Sequence, residues 1–335
     1  MQYTRHIPVL KAQRLLLAVS ILLMVFKLLA WWLTHSIAIL TDALESLVNV
    51  AAGILGYYSL SLSAKPKDSD HPYGHGKAEF LSAAVEGTLI VIAGFWIIYE
   101  SVMALLSEHL VHQLDWGILI LAATALVNGL TARYCIRVGR KNDSLALISS
   151  GTHLQTDALT SMGLVLGLIL VWWTEINALD SWIALIFALM IIVSGIRIVR
   201  SSISGIMDEA DEELVKTIIG AIKEHRRENW IDIHNLRVVN YAGFFHIDLH
   251  MTVPRYFTVD AAHVELDAVT DVLKSHFDGK VEFSIHTDGC IQAQCGICDK
   301  ADCPVRSQAF DRKLDWTYEN VILNARHTWK KPVSI

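Results

Sequence analysis

The sequence predicts a membrane protein: an all-α bundle of six transmembrane helices, followed by a smaller cytoplasmic α+β domain. Three observations predict it. The 335 residues are 53% hydrophobic and only 19% charged, with mean hydropathy +0.40, whereas a soluble domain carries about 25% charge. Six stretches are long and apolar enough to span a bilayer, which takes about 20 residues each. From about residue 208 these runs give way to shorter alternating patterns and most of the acidic residues. The net charge of −6 offers no basic surface, so no nucleic-acid partner is expected.

The six spans run over 13–34, 38–62, 80–105, 115–137, 144–173 and 177–199. The first apolar run is too long for a signal peptide and lacks a small-residue cleavage site, so it is expected to stay as a helix. Lys and Arg in the short loops set the orientation. Arg5, Lys11 and Arg14 lie before or at the start of span one; Lys65, Lys67 and Lys77 follow span two; Arg137, Arg140 and Lys141 lie at and after the end of span four; Arg197 and Arg200 end span six. The other loops, near 35–37, 106–114 (with His109 and His112) and 174–178, hold neither Lys nor Arg. Both termini are therefore expected in the cytoplasm.

The expected domains are 1–207 in the membrane, 208–289 as an α+β unit and 290–335 as a cysteine-rich segment and tail. Within the α+β unit, 208–227 reads as an amphipathic helix and 258–277 as a second one. Strands are expected over 231–241, 244–253 and 280–286, with Tyr241-Ala242-Gly243 as a turn. The order αββαβ is ferredoxin-like, with helices on one face of the sheet.

Ionisable residues inside spans are costly and mark function. Span two carries Asp42, Glu45 and Asn49; span five carries His153 and Asp157. Glu45 and Asn49 are four apart, as are His153 and Asp157, so each pair shares a helix face. Two facing helices then offer Glu, Asn, His and Asp, an oxygen and nitrogen set that suits a divalent first-row metal. Interhelical hydrogen bonds or a water-lined crevice are the plainer reading of the same residues. Asp42, three before Glu45, points to a neighbouring part of that face, to support the ligands or line an entry path.

Here the sequence resembles the cation diffusion facilitators. The stretch from His35 to Asn49, containing Asp42-Ala-Leu-Glu45, resembles that family's second helix. His153-Leu-Gln-Thr-Asp157 resembles its fifth-helix motif, and His71-Pro-Tyr-Gly-His75-Gly-Lys77-Ala-Glu79 its loop between helices two and three. The resemblance covers roughly 10–290. It implies a homodimeric, proton-coupled exporter of a divalent metal, not an enzyme, in a bacterial inner membrane. The transport ligands would be Glu45, Asn49, His153 and Asp157. The family's second helix usually offers Asp, or His with Asp. Glu45 and Asn49 depart from this and leave Fe²⁺ and Mn²⁺ beside Zn²⁺ as the ion.

The resemblance also implies a second metal site at Asp68, His71 and His75, and an ion pair, Lys77 with Asp208, that helps lock two protomers. It implies a regulatory metal site at the dimer interface, from His234, His250, His263, His286 and Asp288. In the second strand Phe245, Ile247, Leu249 and Met251 alternate with His246, Asp248 and His250, so Asp248 shares a face with His250 and can assist. His246 has no counterpart and reads as a solvated residue. The family's plan lacks the run Cys290-x4-Cys295-x2-Cys298-x4-Cys303-Pro304. Such crowding is not a secreted disulfide framework. It suits structural Zn²⁺ first, with an iron–sulfur cluster as the alternative. Two other functions fit parts of the chain: a metal-responsive membrane sensor, which lacks an output domain, and a membrane oxidoreductase using the cysteines, which lacks a facing His pair for haem.

Overall fold

Apolar runs of bilayer length fold as helices because only a helix satisfies every backbone N–H and C=O within its own segment. A computed structural model of the chain describes residues 3–63, 65–107, 111, 113–141, 145–241, 244–277, 281–328 and 333–334. Among them six helices are long and apolar enough to cross a membrane. They are α1 (Tyr3–Thr34), α2 (Ile37–Ser63), α3 (Lys77–Leu106), α4 (Leu114–Lys141), α5 (Leu145–Thr174) and α6 (Ala178–Ile206). His109 and His112 lie outside the described residues. The remaining elements are α7 (Glu212–Glu224), β1 (Asp232–Tyr241), β2 (Phe244–Val253), α8 (Val259–His276) and β3 (Val281–Gly289). A 3-10 turn (Gln292–Ile297), α9 (Tyr318–Val321), β4 (Ala325–Arg326) and β5 (Val333–Ser334) complete the chain.

The chain divides into two compact units. One takes the helices up to Leu62 and from Ala78 to Ile203; the other takes Ser63–Lys77 and everything from Ser204. In the first unit the buried Asp180, at the start of α6, caps α2. It accepts from Ser36 Oγ at 2.5 Å and from the Ile37 N–H at 2.6 Å, so a carboxylate sits on the positive end of that helix. Small residues let other helices close in, as is usual in membranes. A side chain built at Gly195 of α6 would meet the Gly87 carbonyl of α3 at 2.9 Å and Val91 at 2.8 Å. One at Gly117 of α4 would meet Thr34 at 2.5 Å and Ile39 at 2.8 Å.

In the second unit α7 starts at Glu212 and not at 208. Asp208 takes a left-handed backbone (φ 56°), and Asp211 caps the helix by accepting the Leu214 N–H at 3.1 Å. The sheet order is β1-β2-β3, antiparallel between β1 and β2 and parallel between β2 and β3. The β1–β2 turn residues 242 and 243, and Lys280, lie outside the described residues. Ile218 and Ile222 of α7 and Val269 and Leu273 of α8 pack with Ile233, Ile247, Leu249 and Met251 of the sheet. The chain after β3 returns to this core. Trp316 is buried, with the Arg226 guanidinium 3.7 Å from its ring centre.

The α3–α6 approach is open to test. Gly195→Leu should destabilise the bundle by about 1–3 kcal/mol through overpacking, read as a lower unfolding midpoint in detergent. A midpoint equal to the parent's would mean that these helices do not meet there.

Candidate metal-binding sites

Within the first unit, polar side chains of α1, α2 and α5 meet in two layers. In one, Asn49 Nδ2 donates to Asp157 Oδ2 at 2.9 Å, and His153 Nε2 lies 3.9 Å from Asp157 Oδ1. Asp157 is buried, whereas the His153 side chain is 56% exposed, so this layer has an open approach. The donated bond fixes the Asn49 amide and turns its carbonyl oxygen away from Asp157, available as a neutral ligand. Glu45 sits one helical turn before Asn49 and is half-buried.

The second layer was not anticipated. Lys27 of α1, only 1% exposed, has its Nζ 2.7 Å from Asp42 Oδ2. It donates to Ser46 at 2.9 Å and to Ser161 at 3.3 Å, and Ser161 donates to Asp42 Oδ1 at 2.5 Å. Asp42 is thus engaged by a buried ammonium. The signal was present in the sequence: a lysine in mid-run, Met24-Val25-Phe26-Lys27-Leu28, too far from either helix end to snorkel.

In the second unit Asp68, His71 and His75 offer donor atoms within 4.8 Å of one another. Asp68 folds the loop by accepting the N–H groups of His71 at 2.7 Å and Asp70 at 3.1 Å. The His71 N–H holds its carboxyl below the usual carboxylate range, opposing a small rise from burial. His75 lies 3.5 Å from Asp68 and is largely covered. Lys77 and Asp208 form an ion pair at 2.8 Å.

A second triad spans the sheet. His234 of β1, His250 of β2 and Asp288 of β3 again place donors within 4.8 Å of one another. Register explains it: His234 pairs with His250, and His250 with His286. His286 lies 3.7 Å from Asp288, with its ring 4.6 Å from that of His250. Burial, then the neighbouring His234 and His286, pull His250 below the usual imidazole range, so its neutral, ligand-competent form is favoured. The structure does not draw His263 into this group. It is 71% exposed on α8, 3.8 Å from Asp267. Asp248 pairs with His246 at 3.2 Å and not with His250. His246 is a correction to the sequence reading. It is 16% exposed and not a solvated residue, because Glu282 lies 3.5 Å away and Tyr73 packs edge-on to its ring.

The tail adds partners that spacing did not disclose. Arg326 pairs with Asp288, and His327 Nδ1 lies 2.8 Å from the buried Asp232, itself 3.4 Å from His234. Burial pushes the Asp232 carboxyl up, but hydrogen bonds with His234 and His327 outweigh it and leave the group below its usual range. Cys290, Cys295, Cys298 and Cys303 are free thiols lining one pocket.

Residues 14–207 match the cation efflux transmembrane domain, and residues 210–290 match the cytoplasmic domain of cation efflux proteins. An uncharacterized transporter of Synechocystis sp. is 34% identical over 253 residues, covering 76% of this chain and 82% of its own length. The cation-efflux pump FieF of Cronobacter sakazakii is 26% identical over 276 residues, covering 81% and 90% respectively. That of Pectobacterium atrosepticum is 27% identical over 279 residues, covering 81% and 89%.

The Lys27 layer yields a stability prediction. Lys27→Met strands Asp42 in the bundle and should cost about 3–5 kcal/mol, whereas Lys27→Met with Asp42→Leu should recover most of it. Denaturant unfolding in detergent measures both. A single variant as stable as the parent would contradict the buried pair.

Proposed function

The chain belongs to the cation efflux family, the cation diffusion facilitators, and on that premise we propose that it exports a divalent transition metal in exchange for protons through a site made by Glu45, Asn49, His153 and Asp157. As a member, the chain is an integral membrane transporter of divalent metal cations and not an enzyme. One observation carries the site: the Asn49–Asp157 bond, which joins α2 to α5 inside the bundle beside a partly open His153.

The chemistry follows from the donor set. Glu45 and Asp157 neutralise a doubly charged ion, His153 adds one nitrogen ligand, and Asn49 adds a neutral, hard oxygen. Carboxylate and imidazole bind the ion only when deprotonated. Protons arriving from the acidic side therefore expel it, and its return from the cytoplasm releases them. Zn²⁺ is the leading cargo, with Fe²⁺ and Mn²⁺ next, because a set of three oxygen donors and one imidazole suits all three ions.

The remaining assignments rest on the same premise. The loop bases put both termini in the cytoplasm, and the bacterial relatives make an inner membrane the natural location. The cytoplasmic domain pairs two chains into a homodimer. Its sheet triad of His234, His250 and Asp288, extended by His286, binds regulatory metal there. Asp68, His71 and His75 form a further metal site in the loop, and the Lys77–Asp208 pair braces the dimer.

Proton-driven flux of Zn²⁺, Fe²⁺ and Mn²⁺ into proteoliposomes, one metal at a time, tests the transport site. Asp157→Ala and His153→Ala should each reduce flux to background while the protein still folds. Asn49→Asp removes the donor to Asp157 and adds a like charge beside it, so flux should persist with an altered metal preference. Parental flux from both alanine variants would overturn the site.

A further inference from the structure

The second unit continues past the segment that matches the family's cytoplasmic domain, which ends at residue 290. That extension folds back onto the sheet. Trp316 and Val321 are buried in the core formed by α7, α8 and the sheet, and the Asn235 N–H donates to the Leu323 carbonyl at 2.8 Å. The chain then delivers two side chains beside the sheet triad. His327 meets the buried Asp232 twice, through its N–H at 2.9 Å from Oδ2 and its Nδ1 at 2.8 Å from Oδ1. Arg326 meets Asp288. One end of its guanidinium pairs with Oδ1, and the other donates to the Gly289 carbonyl at 3.4 Å.

The triad fits a metal ion by what it leaves unpaired. Asp288 Oδ2 stands 3.4 Å from His234 Nε2 and 3.4 Å from His250 Nδ1. All three atoms are buried, and none is hydrogen-bonded among the described residues. Polar atoms orphaned at that depth are costly. One carboxylate oxygen with two imidazole nitrogens is a donor set that Zn²⁺ takes.

Arg326 divides the Asp288 carboxylate. Oδ1 serves the guanidinium, and Oδ2 faces the two histidines. Two effects of this contact oppose each other. Holding the carboxylate in place favours metal, whereas a positive charge on it disfavours metal. The first is largely supplied without Arg326, because Asp288 is buried and sits in the β2–β3 ladder opposite Thr252. The second is permanent, because a guanidinium does not lose its proton in a protein. Burial leaves it weakly screened, so charge is the effect that decides.

We propose that Arg326 sets the affinity of the sheet site: a cation built into the tail competes with metal for the charge of Asp288, so the site fills only as metal rises. This rests on the reading of His234, His250 and Asp288 as a metal site. Arg326 touches Asp288 and not the ion, and acts through that carboxylate.

Calorimetric titration of Zn²⁺ into the full chain in detergent tests this, with Asp157→Ala and Asp68→Ala present throughout to silence the transport and loop sites. The binding step that His250→Ala abolishes belongs to the sheet. Arg326→Gln keeps a donor for Asp288 and removes the charge, so it should tighten that step by at least about tenfold. Arg326→Met should do the same, and serves if the glutamine variant does not fold. Arg326→Lys keeps the charge and should stay within about threefold of the parent. An arginine with a merely structural role gives the opposite sign, since its loss loosens the triad and weakens binding. Unchanged or weaker binding in the neutral variants, or equal tightening by lysine, overturns the proposal and leaves the site standing. A titration in which no step responds to His250→Ala overturns the site, and the proposal with it.

Discussion

Hydrocarbon offers no hydrogen bonds, and the membrane unit is organised around that fact. Each polar side chain in the spans needs a protein partner or a path to water. Lys27 meets the requirement with three partners on two other helices: Asp42 and Ser46 on α2 and Ser161 on α5. One turn further along the same two helices, Asn49 and Asp157 meet it with each other. The layers differ in charge. The Lys27 layer contains its own cation and balances Asp42. The Asp157 layer contains carboxylates and no lysine, so it is the layer that gains from an incoming metal ion or from protons. A charge-complete layer next to a charge-incomplete one ties the helices together and leaves the carboxylates of the second layer without a cation of their own.

The water-soluble unit uses the same logic with different groups. Two buried carboxylates, Asp232 and Asp288, serve as junctions. Asp232 joins the cysteine loop through Gln294, the tail through His327 and the sheet histidines through His234. Asp288 joins His234, His250 and Arg326. The histidine triad and the cysteine pocket are therefore anchored to shared side chains, so a change in one has a short mechanical route to the other.

Much of this was legible in the amino acids. Six apolar runs became six helices, and period two in β2 buried Ile247, Leu249 and Met251 as its alternation required. The i,i+4 spacing brought His153 to Asp157, and the close spacing of Asp68, His71 and His75 brought those three together. The departures have common causes. Lys27 escaped notice because hydropathy averages absorb a single charge, and its partner is set by helix packing and not by spacing. Arg326 and His327 act on the sheet from about 40 residues downstream of β3, a return that no local pattern encodes. His263 carries a ligand-type side chain, but the pitch of α8 turns it to solvent. His246 alternates in phase with solvated residues, yet Tyr73 and Glu282 cover it.

The central claim is that a metal ion rests between α2 and α5, bound by Glu45, Asn49, His153 and Asp157. Anomalous scattering from crystals of the full chain, grown separately with Zn²⁺, Fe²⁺ and Mn²⁺, tests it most directly. The account predicts an anomalous peak in contact with all four side chains for each metal the protein carries, and loss of that peak alone in Asp157→Ala crystals. Peaks confined to the loop, the sheet histidines or the cysteines, with none between α2 and α5, would contradict it.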